Sequence, residues 1–462
     1  MQNLEAFHLR EISINKIPSP VIRVVKILRQ RGHKAYIVGG ALRDLLLGID
    51  AGDWDVATSA HFSETTKIFS GYRHFILKDQ ILTLLQEGSR IEITSFRGPD
   101  RHDLIQDLAR RDFTINAIAY EILEQTLIDP FQGQKDLSNK IIRAVGNPQD
   151  RFKEDPLRML RGIRLACELS SPRVKGFYKI APDTLRAIDQ LKGLIGQVAP
   201  ERIREELMRI LLSWKPSYGF GLMRKTGLLA ILFPELMEGY RKRQNRFHRY
   251  TIFRHVMETV DNIRAEPLLR LAALLHDVGK PRCRKKEKGQ WRFIGHERLG
   301  AQMARSIMDG FRFSKTLTDK VVTLVGHHEI LYRADWSDAA VRRLIRKVGP
   351  ELIGHLVELR RADLKAHGDV GGKITEPIDE LARRIDRVLR SDELVLGPSQ
   401  LAIDGTVVME TLGIPPGPLV GKILKKLVEM VTDNPALNNR GDLLNLLKGM
   451  KARGEKTDFL DQ

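Results

Sequence analysis

The sequence predicts an α+β head, a mixed sheet with helices, followed by an all-α body. Three observations carry that prediction. Short apolar runs alternate with helix signals up to Pro148, helical periodicity then continues almost without a break, and 462 residues are too many for one compact core, so two to four domains are expected.

Taken in order, Val21–Arg31 places apolar residues three and four apart and reads as an amphipathic helix. It leads into a strand at Ala35–Val38, then Gly39-Gly40 and a second helix. A further strand is expected around Trp54–Val56, and two more at Ile81–Leu85 and Ile91–Phe96, paired through Glu87-Gly88. Beyond Pro148, breaks fall near Ser170–Gly176, at Gly239 and at Gly371–Pro377, with Pro398, Pro415 and Pro416 punctuating the end. The expected segments are 1–147, 148–238, 239–370 and 371–462.

Composition narrows the class. No run of eighteen apolar residues occurs, and Met1–Arg10 lacks a basic start followed by an apolar stretch, so neither a membrane span nor a secretory signal is expected. Two cysteines in unrelated contexts, Cys167 and Cys283, argue against a disulfide framework and for a reducing cytoplasm. A net charge of +18 favours a polyanionic partner, because Lys and Arg that neutralise phosphates release counterions.

Two features of the head suggest phosphoryl chemistry. Gly39-Gly40-Ala-Leu-Arg43-Asp44 lies between a strand and a helix, where glycines let backbone amides approach a phosphate. Such turns also use glycine for purely conformational reasons. Asp53-Trp54-Asp55 projects two carboxylates from one face of a strand. Side by side they repel unless a cation lies between them, and magnesium, which bridges carboxylate and phosphate, fits. Glu92 supplies a third acid on the next strand. The plainer alternative has Asp53 capping a turn and Glu92 facing solvent.

These motifs occur in sequence with Arg110-Arg111-Asp112-Phe113-Thr114-Ile115-Asn116-Ala117, Glu154-Asp155-Pro156-Leu157-Arg158 and Glu201-Arg202-Ile203-Arg204-Glu205-Glu206-Leu207. Together they resemble the class II tRNA nucleotidyltransferase and bacterial poly(A) polymerase family over about the first 210 residues. The resemblance implies that Asp53 and Asp55, with Glu92 as third carboxylate, hold Mg2+ that activates the RNA 3′-hydroxyl and the departing pyrophosphate. It implies that Gly39, Gly40 and Arg43 handle the triphosphate, that Arg111, Asp112 and Asn116 read the ribose 2′-hydroxyl, that Asp155 and Arg158 bind the incoming base, and that Arg161 is also nucleotide-binding. The last role also has a physical rationale. Residues three apart share a helix face, and a carboxylate beside a guanidinium matches the edges of cytosine and adenine and mismatches uracil and guanine. Asp155-Pro156 also reads as an N-cap followed by a proline at the first helical position.

Two departures refine the reading. The link from Phe96 to Arg110 is short, comprising Arg97–Asp103 and Leu104–Ala109. Family members that complete the whole CCA end resemble one another in a longer segment there, and the subset that adds only CC lacks it, so CC addition from CTP is expected, with ATP a lesser candidate. His74–Thr83 lacks the Gly-basic-basic-Phe signature that poly(A) polymerases share, which lowers that alternative.

In the body, His255, His276-Asp277 and Asp363 follow one another on expected helices, the His-Asp pair ending an apolar helix before Gly279 and Pro281. Imidazoles mixed with carboxylates suit Mn, Fe, Ni, Zn or Mg. The pattern resembles the HD superfamily of metal-dependent phosphohydrolases over about Tyr240–His367, with His296, His327 and His328 where extra ligands or phosphate contacts occur. That implies hydrolysis of a phosphomonoester or a 2′,3′-cyclic phosphate by metal-activated water; a fold that keeps only a stabilising metal is the alternative. An RNA surface is expected at Arg241, Lys242, Arg243, Arg246 and Arg249, interleaved with Tyr240, Phe247, Tyr250 and Phe253, and at the charged run Arg282–Arg292. Either could be only a solvated face, and the aromatics could belong to a helix core. The tail from Leu396 to Met450 resembles the C-terminal helical region of bacterial members, implying a grip on tRNA by shape and backbone.

Overall fold

The computed structural model describes residues 16–77, 80–98, 103–174, 176–245, 248–368, 375–391 and 394–452. The chain forms two compact units, 1–234 and 235–462.

The first unit opens with helix α1 (Ser19–Gln30), which carries Pro20 in its first turn and buries Val21, Val24, Val25 and Leu28 along one stripe. Its sheet runs in the order β3-β4-β5-β2-β1-β6-β7. The strands are β1 (Ala35–Val38), β2 (Asp53–Thr58), β3 (His74–Leu77), β4 (Ile81–Gln86), β5 (Ser89–Ser95), β6 (Ala119–Glu121) and β7 (Thr126–Ile128). The β2–β5 pair is parallel, the other pairs antiparallel. Strands β4 and β5 meet at Glu87-Gly88, with φ of +48° and +78°, the left-handed pair that a tight hairpin requires.

Between β1 and β2 lies α2 (Gly40–Leu46), and between β5 and β6 lies α3 (Leu104–Ala109), capped by Asp103, whose carboxylate accepts from the amides of Ile105 and Gln106. Leu104 and Leu108 of α3 join Val38, Ala57, Phe96 and Val145 in a core against the sheet. Helices then dominate: α4 (Pro148–Glu154), α5 (Arg158–Glu168) and α6 (Pro200–Leu211), with α6 packed along α5. A short parallel pair, Ile141–Ile142 with Lys179–Ile180, ties this region back to the head.

The second unit is helical, with α7 (Ile252–Asn262), α8 (Pro267–Leu275), α9 (His296–Gly310), α10 (Lys315–His327) and α11 (Ile353–Lys365) around its centre. Like the strand Lys179–Ile180, one feature here departs from an all-α body. The charged run folds as a hairpin, β8 (Lys285–Glu287) with β9 (Gln290–Arg292), because Lys288-Gly289 takes positive φ and closes the turn. At the C-terminal end, Leu427, Val431, Leu443 and Leu447 form a separate apolar core. Among the described residues, no helix is long and apolar enough to cross a membrane.

Candidate active sites

In the head, strand alternation puts the expected acids on one face. Asp53 and Asp55 flank buried Trp54 on β2, and Glu92 lies directly across from Asp55 on β5. Burial, reinforced by Glu92 and Asp53 and opposed by Arg111 and Arg97, pushes the Asp55 carboxyl up from 3.8 to about 6. Glu92 is held by Arg90 at 2.6 Å. Gly39, with φ +81° and ψ −150°, stands against this face; a β-carbon there would lie 2.3 Å from Asp55 Oδ2. Hard oxygen donors, mutual repulsion and a cradle kept open by a missing side chain together fit a Mg2+ site.

A polar chain leads away from it. Arg43 donates through Nε and Nη2 to Asp44 and through Nη1 to Asn116 Oδ1 at 2.9 Å. Asn116 Nδ2 donates to Asp112 Oδ1, which also accepts from the Phe113 amide. Arg161 donates to Asp112 Oδ2 at 3.3 Å. Burial alone would raise Asp112, but Arg161, Asn116 and the Phe113 amide outweigh it and hold the carboxyl below its ordinary value. Arg111 does not join the chain directly. It pairs with buried Asp107, whose other oxygen accepts from the Arg97 amide, so one carboxylate grips both sides of the short link. Residues 99–102 of that link lie outside the described residues.

The helix-face argument for Asp155 and Arg158 needs correction. Asp155 follows the end of α4 in extended conformation, and α5 begins only at Arg158, because the residue before a proline is driven out of the helical region. Asp155 is neither a helical neighbour of Arg158 nor the N-cap of α5. Its Oδ1 accepts from the Leu157 amide at 3.2 Å and its Oδ2 from Arg202 at 3.0 Å. Arg158 is fixed by Glu154 and by the carbonyls of Arg151 and Arg110. Asp107 is a polar residue of this site that sequence reasoning passed over, and Arg202 and Glu206 entered it only as letters of a motif, without a role. The four-residue step from Asp107 to Arg111 was a readable signal; the Arg202–Asp155 contact left none.

In the second unit, His255 comes from α7, His276 and Asp277 from the end of α8, and Asp363 from α11, all buried. His255 Nε2 lies 2.9 Å from Asp363 Oδ1, 3.5 Å from Asp277 Oδ2 and 3.3 Å from His276 Nε2. The Nδ1 atoms of both rings face backbone carbonyls, of Ala366 and Ala273. A carbonyl only accepts, so Nδ1 donates to it and Nε2 is left to face the carboxylates, carrying a proton in the metal-free protein and offering a lone pair where a cation is bound. Two such nitrogens 3.3 Å apart beside two carboxylates make a ligand set for a cation.

The same arrangement repeats on the far side of Asp277. His296 and His328 bond the Phe293 and Val325 carbonyls through Nδ1, bring their Nε2 atoms to 3.3 Å, and lie 3.6 and 3.5 Å from Asp277 Oδ1. His328 joins this cluster and His327 does not. Despite burial, His276 and Lys280 hold Asp277 well below the ordinary carboxylate range, and His255, His367 and Arg360 do the same for Asp363. A cavity of about 420 Å³ opens beside these groups, with Lys280, Arg360 and His248 in its wall.

Of the expected RNA surface, Arg241, Arg243 and Arg249 are exposed, Lys242 is half-buried, and Arg246 and Phe247 lie outside the described residues. Arg254 stacks over Tyr250 at 4.2 Å, whereas Phe253 is buried. On the hairpin, Arg284 stacks on Trp291 at 3.3 Å.

Residues 35–143 match the Poly A polymerase head domain, 177–239 the probable RNA and SrmB-binding site of polymerase A, and 251–388 the HD domain. The chain is 32% identical to an A-adding tRNA nucleotidyltransferase of Deinococcus radiodurans, over 86% of this chain and 91% of that one. It is also 32% identical to a CC-adding tRNA nucleotidyltransferase of Thermus thermophilus, over 86% and 89%. Among solved structures, the Bacillus stearothermophilus CCA-adding enzyme in complex with CTP aligns with a TM-score of 0.70 at 26% identity, covering 95% of this chain and all of that one.

Proposed function

The chain belongs to the tRNA nucleotidyltransferase and poly(A) polymerase family and is an enzyme of that class, and from that premise we propose that it adds CMP from CTP to tRNA 3′ ends, leaving the terminal adenosine to another enzyme. The observation that carries CC addition is the short link between Phe96 and Arg110. A second reading, addition of A or of the whole CCA end, has its own support: the A-adding and CC-adding relatives are equally similar.

In this reading Asp53, Asp55 and Glu92 are the catalytic carboxylates. Magnesium held there would favour ionisation of the attacking 3′-hydroxyl and offset charge on the departing pyrophosphate. Gly39 and Gly40 leave room for the triphosphate at the start of α2, and Arg43 supplies a guanidinium to it. Asp112, oriented by Asn116 and Arg161, accepts from the ribose 2′-hydroxyl, with Arg111 alongside. Asp155 accepts from the exocyclic amine of cytosine while Arg158 donates to the ring acceptors; uracil would leave both unpaired, the strong form of rejection.

The second unit is read as a phosphohydrolase that removes the phosphate of phosphomonoester RNA ends or opens 2′,3′-cyclic phosphates to phosphomonoesters. A divalent cation at His255, His276, Asp277 and Asp363 would supply activated water. His296 and His328, on the other side of Asp277, would hold a second cation or meet the phosphate. Lys280 and Arg360 are placed to meet the phosphate. We assign 1–147 to the catalytic head, 148–238 to nucleotide recognition and neck, 239–370 to the phosphohydrolase and 371–462 to a tRNA-binding tail, in a cytoplasmic enzyme.

The test uses tRNA ending at the discriminator base and tRNA ending in CC, each with CTP or ATP alone. Two cytidines on the first substrate and no AMP on the second is the expected result. Adenosine on the second substrate favours the alternative reading.

A further inference from the structure

We propose that Arg202 and Glu206, one turn apart on α6, are positioning residues that hold the two nucleotide-reading carboxylates: Arg202 grips Asp155 directly, and Glu206 grips Arg161, which grips Asp112. The inference rests on the assignment of Asp155 to the base and Asp112 to the ribose.

Residues four apart share a helix face, and α6 lies along α5, which carries Arg158 and Arg161. Arg202 Nη2 is 3.0 Å from Asp155 Oδ2, and the Leu157 amide holds Oδ1. With both oxygens engaged the carboxylate plane is fixed, so the lone pairs left for a base amine point in one direction. Without Arg202 the side chain, on an extended residue between two helices, regains its rotamers. Glu206 is buried, 3.5 Å from Arg161 Nε and 2.9 Å from Arg164 Nε. A carboxylate wedged between two guanidiniums stays where it is. Arg161 is thereby held with its Nη1 on Asp112. In that assignment Arg202 and Glu206 touch neither base nor ribose; each acts through the residue it holds. A single helix therefore sets base choice through one residue and sugar choice through the next turn.

The experiment measures kcat/KM on tRNA lacking its terminal cytidines, with CTP, UTP and dCTP, for the full-length protein and the variants Arg202→Gln, Arg202→Lys, Asp155→Asn, the Asp155→Asn/Arg202→Gln double variant and Glu206→Gln. Arg202 is 51% exposed, so its variants are expected to fold. Arg202→Gln is expected to lower the CTP-over-UTP ratio by about three- to tenfold, the range of one charge-assisted contact at a partly exposed site. The loss should fall on KM, leave the CTP-over-dCTP ratio unchanged, and be largely restored by Arg202→Lys. The double variant should be no worse than Asp155→Asn alone. Glu206→Gln should lower the CTP-over-dCTP ratio, and if it does not fold the Arg202 arm decides. An unchanged CTP-over-UTP ratio in Arg202→Gln, with the ratio lost in Asp155→Asn, overturns the positioning role and leaves the base assignment standing. An unchanged ratio in Asp155→Asn removes both.

Discussion

Replacing Gly39 by alanine is expected to damage catalysis far more than stability. The backbone there has φ +81° and ψ −150°, a region reserved for glycine, and forcing alanine into it costs about 1–3 kcal/mol. That is tolerable against a domain stability of about 5–15 kcal/mol. The new β-carbon would lie 2.3 Å from Asp55 Oδ2, so the carboxylate must retreat by about 1 Å to reach van der Waals contact. Displacing a catalytic group by that distance costs about 10²-fold in rate. Gly88 is the matched control: it also has positive φ, +78°, but a β-carbon there meets nothing within 4 Å. Gly88→Ala should lose about 1–2 kcal/mol and keep its activity. CMP incorporation and thermal melting of both variants make the comparison. A Gly39→Ala enzyme as active as its parent, or a Gly88→Ala enzyme equally impaired, would refute the claim that Gly39 exists to make room for Asp55.

Other outcomes follow from the same geometry. Asp55 titrates at about 6, above its ordinary 3.8. The stability its protonated form contributes is complete below the unfolded value and is lost as pH rises through about 6, so without metal the ionised group opposes folding at neutral pH. Asp55→Asn in chelator should therefore melt above the parent at neutral pH, by at most about 3 kcal/mol, with the difference vanishing below about pH 4; a lower melting temperature at neutral pH contradicts this. His255→Ala should abolish phosphate release from phosphomonoester ends, or ring opening of cyclic-phosphate ends, and leave CMP addition intact, and elemental analysis should find Asp277→Asn depleted of divalent metal. Arg241→Ala and Arg249→Ala should each weaken tRNA binding and reduce the slope of log K against log salt by about 1; an unchanged slope makes that run a solvated face.

What could be read in advance follows from the range of each interaction. Asp53, Asp55 and Glu92 were legible because strand alternation is local and a hairpin at Glu87-Gly88 sets the register of β5. The cluster of His255, His276, Asp277 and Asp363 was legible because an adjacent His-Asp at the end of an apolar helix is hard to explain by packing. The Arg202–Asp155 pair was not, since its partners are 47 residues apart and meet only through the packing of α6 on α5. Helical spacing misplaced Asp155, because Pro156 breaks the helix between it and Arg158. The choice of His328 over His327 depends on how α10 ends, which composition does not specify. The hairpin at Lys288-Gly289 went unread because its strands are mostly charged and carry little apolar alternation.

The most direct test of the whole account is CMP transfer from CTP onto tRNA ending at the discriminator base, with Mg2+, by the parent protein and by Asp53→Ala and Asp55→Ala. Loss of extension in both variants, with tRNA still bound and the second unit's phosphate release intact, is the predicted result. Extension at the parental rate by either variant would contradict the assignment of these carboxylates to the chemistry.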